Sequence, residues 1–317
     1  MDAASLAPAG AAGTLVTMPI VLHRMRREIE SAGRGSLRRM AMRVDGHRSA
    51  YQRRRWDTRA VYGAIGLLNE RYDYATESLA ACELRVFSQN GEDGVIAELL
   101  QRVGTTNRFF VEFGVQSGLE CNTRFLAEAR GWSGAYFEPD PASFHLLQAR
   151  YEHRDDVICE ERHITPGNVN DVFDGAGVPA ELDLLSIDVD GQDYWIWQAL
   201  DAYRPRLVVI EYNAAIAPGR NVVEPLGAAG FVGDDAYGAS VTAMQTLGAR
   251  KGYTLVHAEM AGANLFFVRD DLMEAVGSPA IVHRSPNFHL LGGRHRRAEE
   301  EVYVAVDGDP DGRPAEG

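Results

Sequence analysis

The chain has 317 residues, of which 45% are hydrophobic and 24% are charged. This size and composition are typical of a globular protein with one large α/β domain and appendages, or with two modest domains. No segment approaches the roughly 18 apolar residues that a membrane-spanning helix needs. The net charge of −13 argues against a nucleic-acid partner, because the acidic main body would repel phosphates. The three cysteines are widely spaced without a CxxC pair, which predicts a reduced, cytoplasmic protein.

The first 60 residues predict a basic and partly disordered leader. Residues 1–20 are rich in Ala and carry no Lys or Arg, so they do not fit a secretory signal. Residues 21–60 contain twelve arginines and four acidic residues, a net charge of +8 that leaves −21 for the remainder. Such a segment indicates either a solvated leader or an arm that docks on an anionic partner.

Short apolar runs then alternate with helical patterns along the chain. Strands are predicted over Arg108–Val115, Gly134–Phe137, Asp156–Cys159, Leu182–Ile187, Arg206–Tyr212, Tyr253–His257 and Asn264–Val268. Helices are predicted over Val95–Val103, Asn122–Arg130 and Pro141–Tyr151, from Thr165 onward, and over Trp195–Tyr203 and Ser240–Lys251. The pattern predicts a Rossmann-like α/β domain over residues 61–283, with a mostly parallel seven-stranded sheet, helices on both faces and a C-terminal antiparallel hairpin. A flexible tail is predicted over residues 284–317.

A strand that ends in a glycine turn, Phe110–Gly118, indicates where a cofactor binds. Gly114 and Gly118 permit a tight turn and the close approach of a ligand to the backbone. The spacing is GxxxG, not the GxGxxG of dinucleotide-binding folds. Glu112 inside the strand suits the cationic amino group of S-adenosylmethionine and would repel a pyrophosphate. The alternative is an ordinary βα turn in which Glu112 binds no ligand.

A second acidic residue ends the next predicted strand. Glu138 follows Gly114 by 24 residues, and an acid there lies over the crevice at the carboxyl ends of the strands, where it accepts hydrogen bonds from ribose hydroxyls. Asp140 is close by and is the alternative acceptor. With the glycine turn and Glu112, these acids favour S-adenosylmethionine as the cofactor.

The strongest chemical signal follows the fourth and fifth predicted strands. Asp188, Asp190 and Asp193 lie within six residues after one apolar run, and Glu211 and Asn213 end the next. Because the carboxyl ends of parallel strands share one rim, where ligands bind, we expect these side chains to lie together there, with Asp188 also beside the cofactor. Clustered carboxylates repel one another unless a cation or a proton intervenes.

Three interpretations of this acidic segment stay open. Asp188, Glu211 and Asn213 offer the oxygen ligands that Mg²⁺ prefers, and a metal ion would lower the pKa of an acceptor hydroxyl. Alternatively, Asp188 or Asp190 acts as a general base without a metal. In the third interpretation the acids are structural: they cap helices and accept hydrogen bonds within loops. The loop Ala214–Gly238, rich in Gly and Ala, is expected to fold over the acceptor as a lid.

From about Phe87 to Leu272, more than half of its length, the chain resembles FkbM-type and related bacterial class I methyltransferases. The matching stretches are Ser88–Asp93 (SQNGED), Phe110–Leu126 (FVEFGVQSGLECNTRFL), Tyr136–Pro141 (YFEPDP), Leu184–Trp197 (LLSIDVDGQDYWIW), Val208–Asn213 (VVIEYN) and Asn264–Leu272 (NLFFVRDDL). A parallel sheet finished by an antiparallel hairpin is also the arrangement of class I methyltransferases.

The resemblance implies S-adenosylmethionine binding through Glu112, Gly114, Gly118 and Glu138. It also implies O-methylation, often of sugars in surface polysaccharides or of natural products. The acidic rim is similar to that of metal-dependent O-methyltransferases, but their usual segment with Lys and Asn after the fourth strand is here Gly191–Asp193 (GQD).

The leading functional prediction is therefore a methyltransferase that acts on a hydroxyl of a small molecule or sugar, with a homo-oligomer left open. A nicotinamide-dependent oxidoreductase is disfavoured, because GxGxxG is missing and Glu112 is present. The alternative from another functional class is a catalytically silent Rossmann-like module that docks through its basic leader.

Overall fold

The computed structural model describes residues 79–277, 284–288, 294–298 and 303–306. All of them belong to one unit, Thr58–Gly317. The predicted basic leader lies outside the described residues, so its boundary at residue 60 and its docking role remain predictions. Within the part of the chain that the structure describes, no helix is long and apolar enough to cross a bilayer.

Strands and helices alternate through most of the described chain. The strands are β1 (Phe109–Phe113), β2 (Ser133–Glu138), β3 (Val157–Glu161), β4 (Leu184–Ile187), β5 (Leu207–Glu211), β6 (Val222–Val223), β7 (Tyr253–Ala258), β8 (Asn264–Arg269) and β9 (Val304–Ala305). The helices are α1 (Glu92–Val103), α2 (Arg124–Arg130), α3 (Pro141–Tyr151), α4 (Val169–Gly175), α5 (Asp193–Ala199), α6 (Val241–Lys251) and α7 (Met273–Val276). Short 3-10 helices cover Leu79–Cys82 and Asp270–Leu272.

Seven of the strands form one sheet in the order β3-β2-β1-β4-β5-β8-β7. Strands β1 to β5 pair in parallel, whereas β8 runs antiparallel to both β5 and β7. The predicted fold class is confirmed: the sheet is mostly parallel, it ends in an antiparallel hairpin, and the arrangement is Rossmann-like. The strand order reverses beside β1, so the carboxyl ends of β1 and β4 meet at the crevice where ligands bind in open α/β sheets.

The central strands are buried because helices cover both faces of the sheet. Val111 and Phe113 of β1 join a core with Phe173 and Trp197, which come from α4 and α5. Phe110 faces the other way and joins a second core. This alternation explains why the central strands read as continuous apolar runs: each residue packs against a helix layer on one side or the other.

Helix starts agree with the sequence where a cap is formed. Ser240 caps α6 as predicted, because its hydroxyl accepts a hydrogen bond from the Ala243 backbone N–H at 3.1 Å. The prediction that Thr165 opens the fourth helix is wrong, since α4 begins at Val169. Asn168 Oδ1 accepts a hydrogen bond from the Thr165 N–H at 2.8 Å, so residues 165–168 form a turn that delays the helix.

A second, two-stranded sheet involves the predicted tail. β6 pairs antiparallel with β9, with Val222 opposite Ala305 and Val223 opposite Val304. The flanking bond from Val306 N–H to the Asn221 carbonyl, at 3.1 Å, extends the pairing by one residue. The C-terminal residues that the structure describes therefore lie against the loop that follows β5.

Candidate functional site

The glycine turn after β1 begins at Gly114, a position that admits no side chain. Gly114 has φ of +81°, and a Cβ added to it would lie 1.4 Å from the carbonyl oxygen of Asp188. Gln116 and Gly118 also have positive φ, at 49° and 70°. The turn is thus pressed against the end of β4, which brings the glycine turn and the acidic segment to one rim.

Glu112, inside β1, holds the residues that lie between this turn and α2. Its carboxylate accepts hydrogen bonds from the Asn122 N–H at 2.8 Å, the Thr123 N–H at 3.0 Å and the Thr123 hydroxyl at 2.6 Å. These groups immediately precede α2, where a carboxylate is favoured by the helix dipole. Burial raises the pKa of Glu112 to about 7, against the lowering effect of these hydrogen bonds. The contact of Glu112 with the amino group of a cofactor remains a prediction.

Glu138 connects the end of β2 to the glycine turn. One carboxylate oxygen accepts a hydrogen bond from the Gln116 N–H at 2.6 Å, and the other accepts one from the Asp140 N–H at 2.9 Å. Asp140 has a different position, because its side chain caps α3 through the Ser143 N–H at 2.8 Å. That hydrogen bond lowers the pKa of Asp140. Of the two ribose-acceptor candidates, Glu138 is the one that contacts the glycine turn.

Three carboxylates meet at the ends of β4 and β5. Each of Asp188, Asp190 and Glu211 places one oxygen within 4.8 Å of the others. Burial, followed by the charges of neighbouring acids, raises the pKa values of Asp188 and Glu211 well above their usual range. The Oε2 atom of Glu211 is buried and accepts no hydrogen bond from any described residue. A shared proton or a bound cation would relieve both the repulsion and the missing partner.

The nearby Asp193 is held by the backbone instead. Its carboxylate accepts hydrogen bonds from the Val189 and Gly191 N–H groups, both at 2.9 Å. Burial raises the pKa of Asp193 to about 6. The loop it stabilises places Asp190 at a φ of +57°, in the left-handed region. Asp193 therefore shapes the segment that presents Asp190.

Asn213, a predicted metal ligand, makes hydrogen bonds within the loop that follows it. Its side-chain NH₂ donates to the carbonyls of Asp235 and Tyr237 at 2.8 and 2.9 Å. Its side-chain oxygen accepts from the Ala215 N–H at 2.9 Å. The structure thus brings Asp188 and Glu211 together with Asp190, while the Asn213 amide is engaged elsewhere.

The loop Ala214–Gly238 is fastened over the acidic segment by Glu224. This buried carboxylate accepts hydrogen bonds from the Gly230 N–H at 2.7 Å and the Gly238 N–H at 2.9 Å. The Phe231 N–H donates to the Asp190 carbonyl at 2.7 Å. Buried polar contacts thus hold the loop against the acidic segment, and its role as a lid remains a prediction.

A cavity of about 460 Å³ opens beside the acidic cluster. It lies between residues that follow β5 and the described C-terminal segments. Its lining residues are Asn213, Ala214, Ala215, Ala217, Pro218, Asp235, Ser285, Pro286, Phe288, Arg294, His295 and Arg297. The His295 ring packs 4.5 Å from the Phe231 ring and 4.6 Å from the Phe288 ring, measured between centroids. Phe231 also donates its N–H to the Asp190 carbonyl at 2.7 Å, so Phe231 and His295 connect the cavity to the acidic segment.

Sequence reasoning did not find His295, Arg294 or Arg297, because they lie in the predicted tail. The basic run Arg294–Arg297 in that tail is the signal that was available. Tyr237 was also missed; burial, followed by the negative charges of the cluster, raises the pKa of its hydroxyl.

No protein-family model matches this chain, and no curated protein matches it either. Solved structures do match. The O-methyltransferase from Bacillus cereus in complex with SAH (S-adenosylhomocysteine) is 17% identical over 49% of this chain and 67% of that one, with a TM-score of 0.31. The N-terminal domain of EvdMO1, in the presence of SAH and D-fucose, is 12% identical over 56% of this chain and 82% of that one, with a TM-score of 0.38.

A chain of the fibrillarin/Nop5p complex is 17% identical over 34% of this chain, with a TM-score of 0.27, and this chain spans about half (51%) of its length. Identities and TM-scores at this level carry no inference about activity. They do not confirm the FkbM-type resemblance, so the function has to rest on the residues of the site.

Proposed function

We propose that this chain is an S-adenosylmethionine-dependent O-methyltransferase that acts on a hydroxyl of a small molecule or sugar. The observation that carries the proposal is the convergence of three features at the carboxyl ends of β1, β2, β4 and β5. These are the glycine turn after Gly114, the buried Glu138 that contacts it, and the carboxylate cluster around Glu211. A cofactor crevice beside a proton-accepting cluster is what methyl transfer to a hydroxyl requires.

On the cofactor side, Glu138 is the proposed acceptor for the ribose hydroxyls, since it ends β2 over the crevice. The turn Gly114–Gly118 allows a ligand to approach the backbone, and Glu112 holds the segment between this turn and α2 through Asn122 and Thr123. When bound, S-adenosylmethionine supplies the methyl group on a sulfonium. Asp188 lies against Gly114 and therefore borders both the cofactor side and the acceptor side.

On the acceptor side, the cluster is proposed to take the hydroxyl proton. Asp188 and Asp190 are the general-base candidates, because a carboxylate with a raised pKa accepts a proton more readily near neutral pH. The cluster also fits a hard cation such as Mg²⁺: it has three carboxylates and a buried Glu211 oxygen without a partner. Asp188, Asp190 and Glu211 would hold the ion, which would lower the pKa of the hydroxyl. We place the reaction in the cytoplasm, on the strength of the three free cysteines.

Calorimetric titration with SAH tests the cofactor assignment. We expect the wild type to bind and Glu138→Ala to bind at least about tenfold more weakly, a loss of about 1.4 kcal/mol. Glu152→Ala is the matched control, because this exposed residue follows the opposite end of α3 and should leave affinity unchanged. Absence of binding by folded wild-type protein, with or without Mg²⁺, would overturn the proposal.

A further inference from the structure

We propose that the methyl acceptor carries an anionic group, a carboxylate or a phosphate, that binds Arg294 and Arg297 in the cavity beside the acidic cluster. This rests on the proposed function, because it assigns the acceptor side of the same site. Both arginines line the cavity together with His295. The net charge of −13 would not by itself predict an anionic ligand.

The position of the cavity suits an acceptor. One side is formed by Asn213 and Ala214, directly after the strand that carries Glu211, and the opposite side by the C-terminal segment. His295 lines the cavity and packs against Phe231, whose N–H donates to the Asp190 carbonyl. A molecule in this cavity therefore lies within reach of the carboxylates that are proposed to accept its hydroxyl proton.

The charges on the cavity wall favour an anion. Arg294 and Arg297 are exposed, and neither forms an ion pair with any residue within the described ranges. Arg296, which lies between them in sequence, points elsewhere and contacts Asp234 at 3.6 Å. Asp235 is the one acidic residue on the wall, and its carboxylate accepts the Ala298 N–H at 2.7 Å. The wall therefore carries two guanidinium groups and one carboxylate, and this carboxylate already accepts a hydrogen bond.

The shape and chemistry of the wall narrow the ligand class. A guanidinium binds a carboxylate or phosphate through two parallel N–H donors, which fixes the anion in orientation as well as in position. The Ala, Pro and Phe288 side chains of the wall can pack against a carbon skeleton. A volume of about 460 Å³ suits one small molecule. The arginines would also offset the repulsion that an anionic acceptor meets near the acidic cluster.

The test is calorimetric titration of the folded full-length chain, with and without SAH, using four probes at up to millimolar concentration. The probes are methyl β-glucuronoside, glucose 6-phosphate, methyl β-glucoside and inorganic phosphate. We expect at least one of the two anionic sugars to bind at least about tenfold more tightly than the neutral sugar. The Arg294→Gln/Arg297→Gln variant should lose that preference, and the control Arg296→Gln should retain it.

The outcomes separate the two proposals. Equal affinities for charged and neutral sugars, no binding of any anionic probe, or equal losses in Arg296→Gln would overturn the anionic acceptor. If SAH binds in those cases, the methyltransferase assignment stands. If the arginine-dependent preference is seen but SAH does not bind, the anion site stands and the methyltransferase assignment fails. The two sugar anions distinguish a carboxylate ligand from a phosphate, and inorganic phosphate shows whether the anion alone suffices.

Discussion

Two of the regions that bury acidic side chains differ in what those side chains contact. At the turn of the β7–β8 hairpin, Glu83 and Glu259 accept hydrogen bonds at all of their carboxylate oxygens. At the rim, Glu211 has a buried oxygen without a partner among the described residues. Burial raises carboxyl pKa values in both regions, to about 8 for Glu83 and Glu259. The missing hydrogen-bond partner together with two neighbouring carboxylates, and not the raised pKa, distinguishes the rim from the hairpin as the place for a ligand.

The largest effect expected from this comparison is on stability. Glu259→Ala should lower the free energy of unfolding by about 3 kcal/mol or more, because it leaves buried N–H groups of Ala261, Ala263 and Asn264 without acceptors. Asp190→Asn at the rim, which keeps a residue type that tolerates the left-handed backbone there, should change it by less than about 1 kcal/mol. Urea unfolding followed by circular dichroism measures both. Similar losses in the two variants would contradict the distinction between the regions.

The pH dependence of stability should come partly from Glu83. Burial raises its pKa from 4.5 to about 8 and lowers the pKa of His257 to about 3, so both are neutral near pH 6 and share a 2.8 Å hydrogen bond. A raised pKa stabilises the fold below pH 4.5, and this contribution is lost as the pH rises through about 8.

Glu83→Gln keeps a neutral donor for His257 and an acceptor for the Met260 N–H at every pH. The wild type should therefore lose a few kcal/mol more unfolding free energy than the variant between about pH 5 and about pH 8.5. Urea unfolding across this range gives the comparison, and parallel pH profiles for the two proteins would disprove the assignment.

A substitution in the carboxylate cluster at the rim should lower activity and not stability. Glu211→Gln is expected to lower methyl transfer to an acceptor that the wild type uses by about 100-fold. Its stability should be equal to that of the wild type or greater, because one of three repelling acids is neutralised. Radiolabelled methyl transfer and urea unfolding are the two measurements, with Glu152→Gln as the control. A large loss of stability would show that Glu211 has a structural role like that of Glu259.

The smallest expected effect separates a metal ion from a proton at the cluster. If the cluster holds a cation, Mg²⁺ at about ten times its Kd should stabilise the wild type by about 1.4 kcal/mol near pH 8. The Asp188→Asn/Glu211→Gln variant should lose this gain, and Glu83→Gln should retain it. A wild type that gains nothing from Mg²⁺ would rule out the metal and leave Asp188 and Asp190 as the candidate bases.

The sheet was predictable from sequence because its signals are local. Strands buried on both faces read as apolar runs, and the Ser240 cap and the closing hairpin follow from neighbouring residues. The start of α4 was misplaced, because Asn168 competes with Thr165 for the turn that precedes the helix. Such competition depends on side-chain rotamers that a sequence pattern does not specify.

The candidate site was predictable in part. The meeting of Asp188 with Glu211 follows from the rule that parallel strands end at one rim. The orientation of Asn213 does not, since it depends on the carbonyls of Asp235 and Tyr237 more than twenty residues away. The cavity wall formed by Arg294 and His295 depends on a longer connection still, the backbone contacts of Arg296 with Asp234 and Asp235. Contacts of this kind leave no periodic signal in the sequence.

The contacts of Arg296 with Asp234 and Asp235 also have a consequence for the order in which a nascent chain matures. The strands of the large sheet are all synthesised once Arg269 has left the ribosome, so the crevice next to Gly114 and Glu138 can form while translation continues. The anion-binding wall can form only after Arg294 to Arg297 emerge and reach Asp234 and Asp235. This late segment, and with it the choice of acceptor, could therefore be exchanged without disturbing the sheet that is synthesised before it.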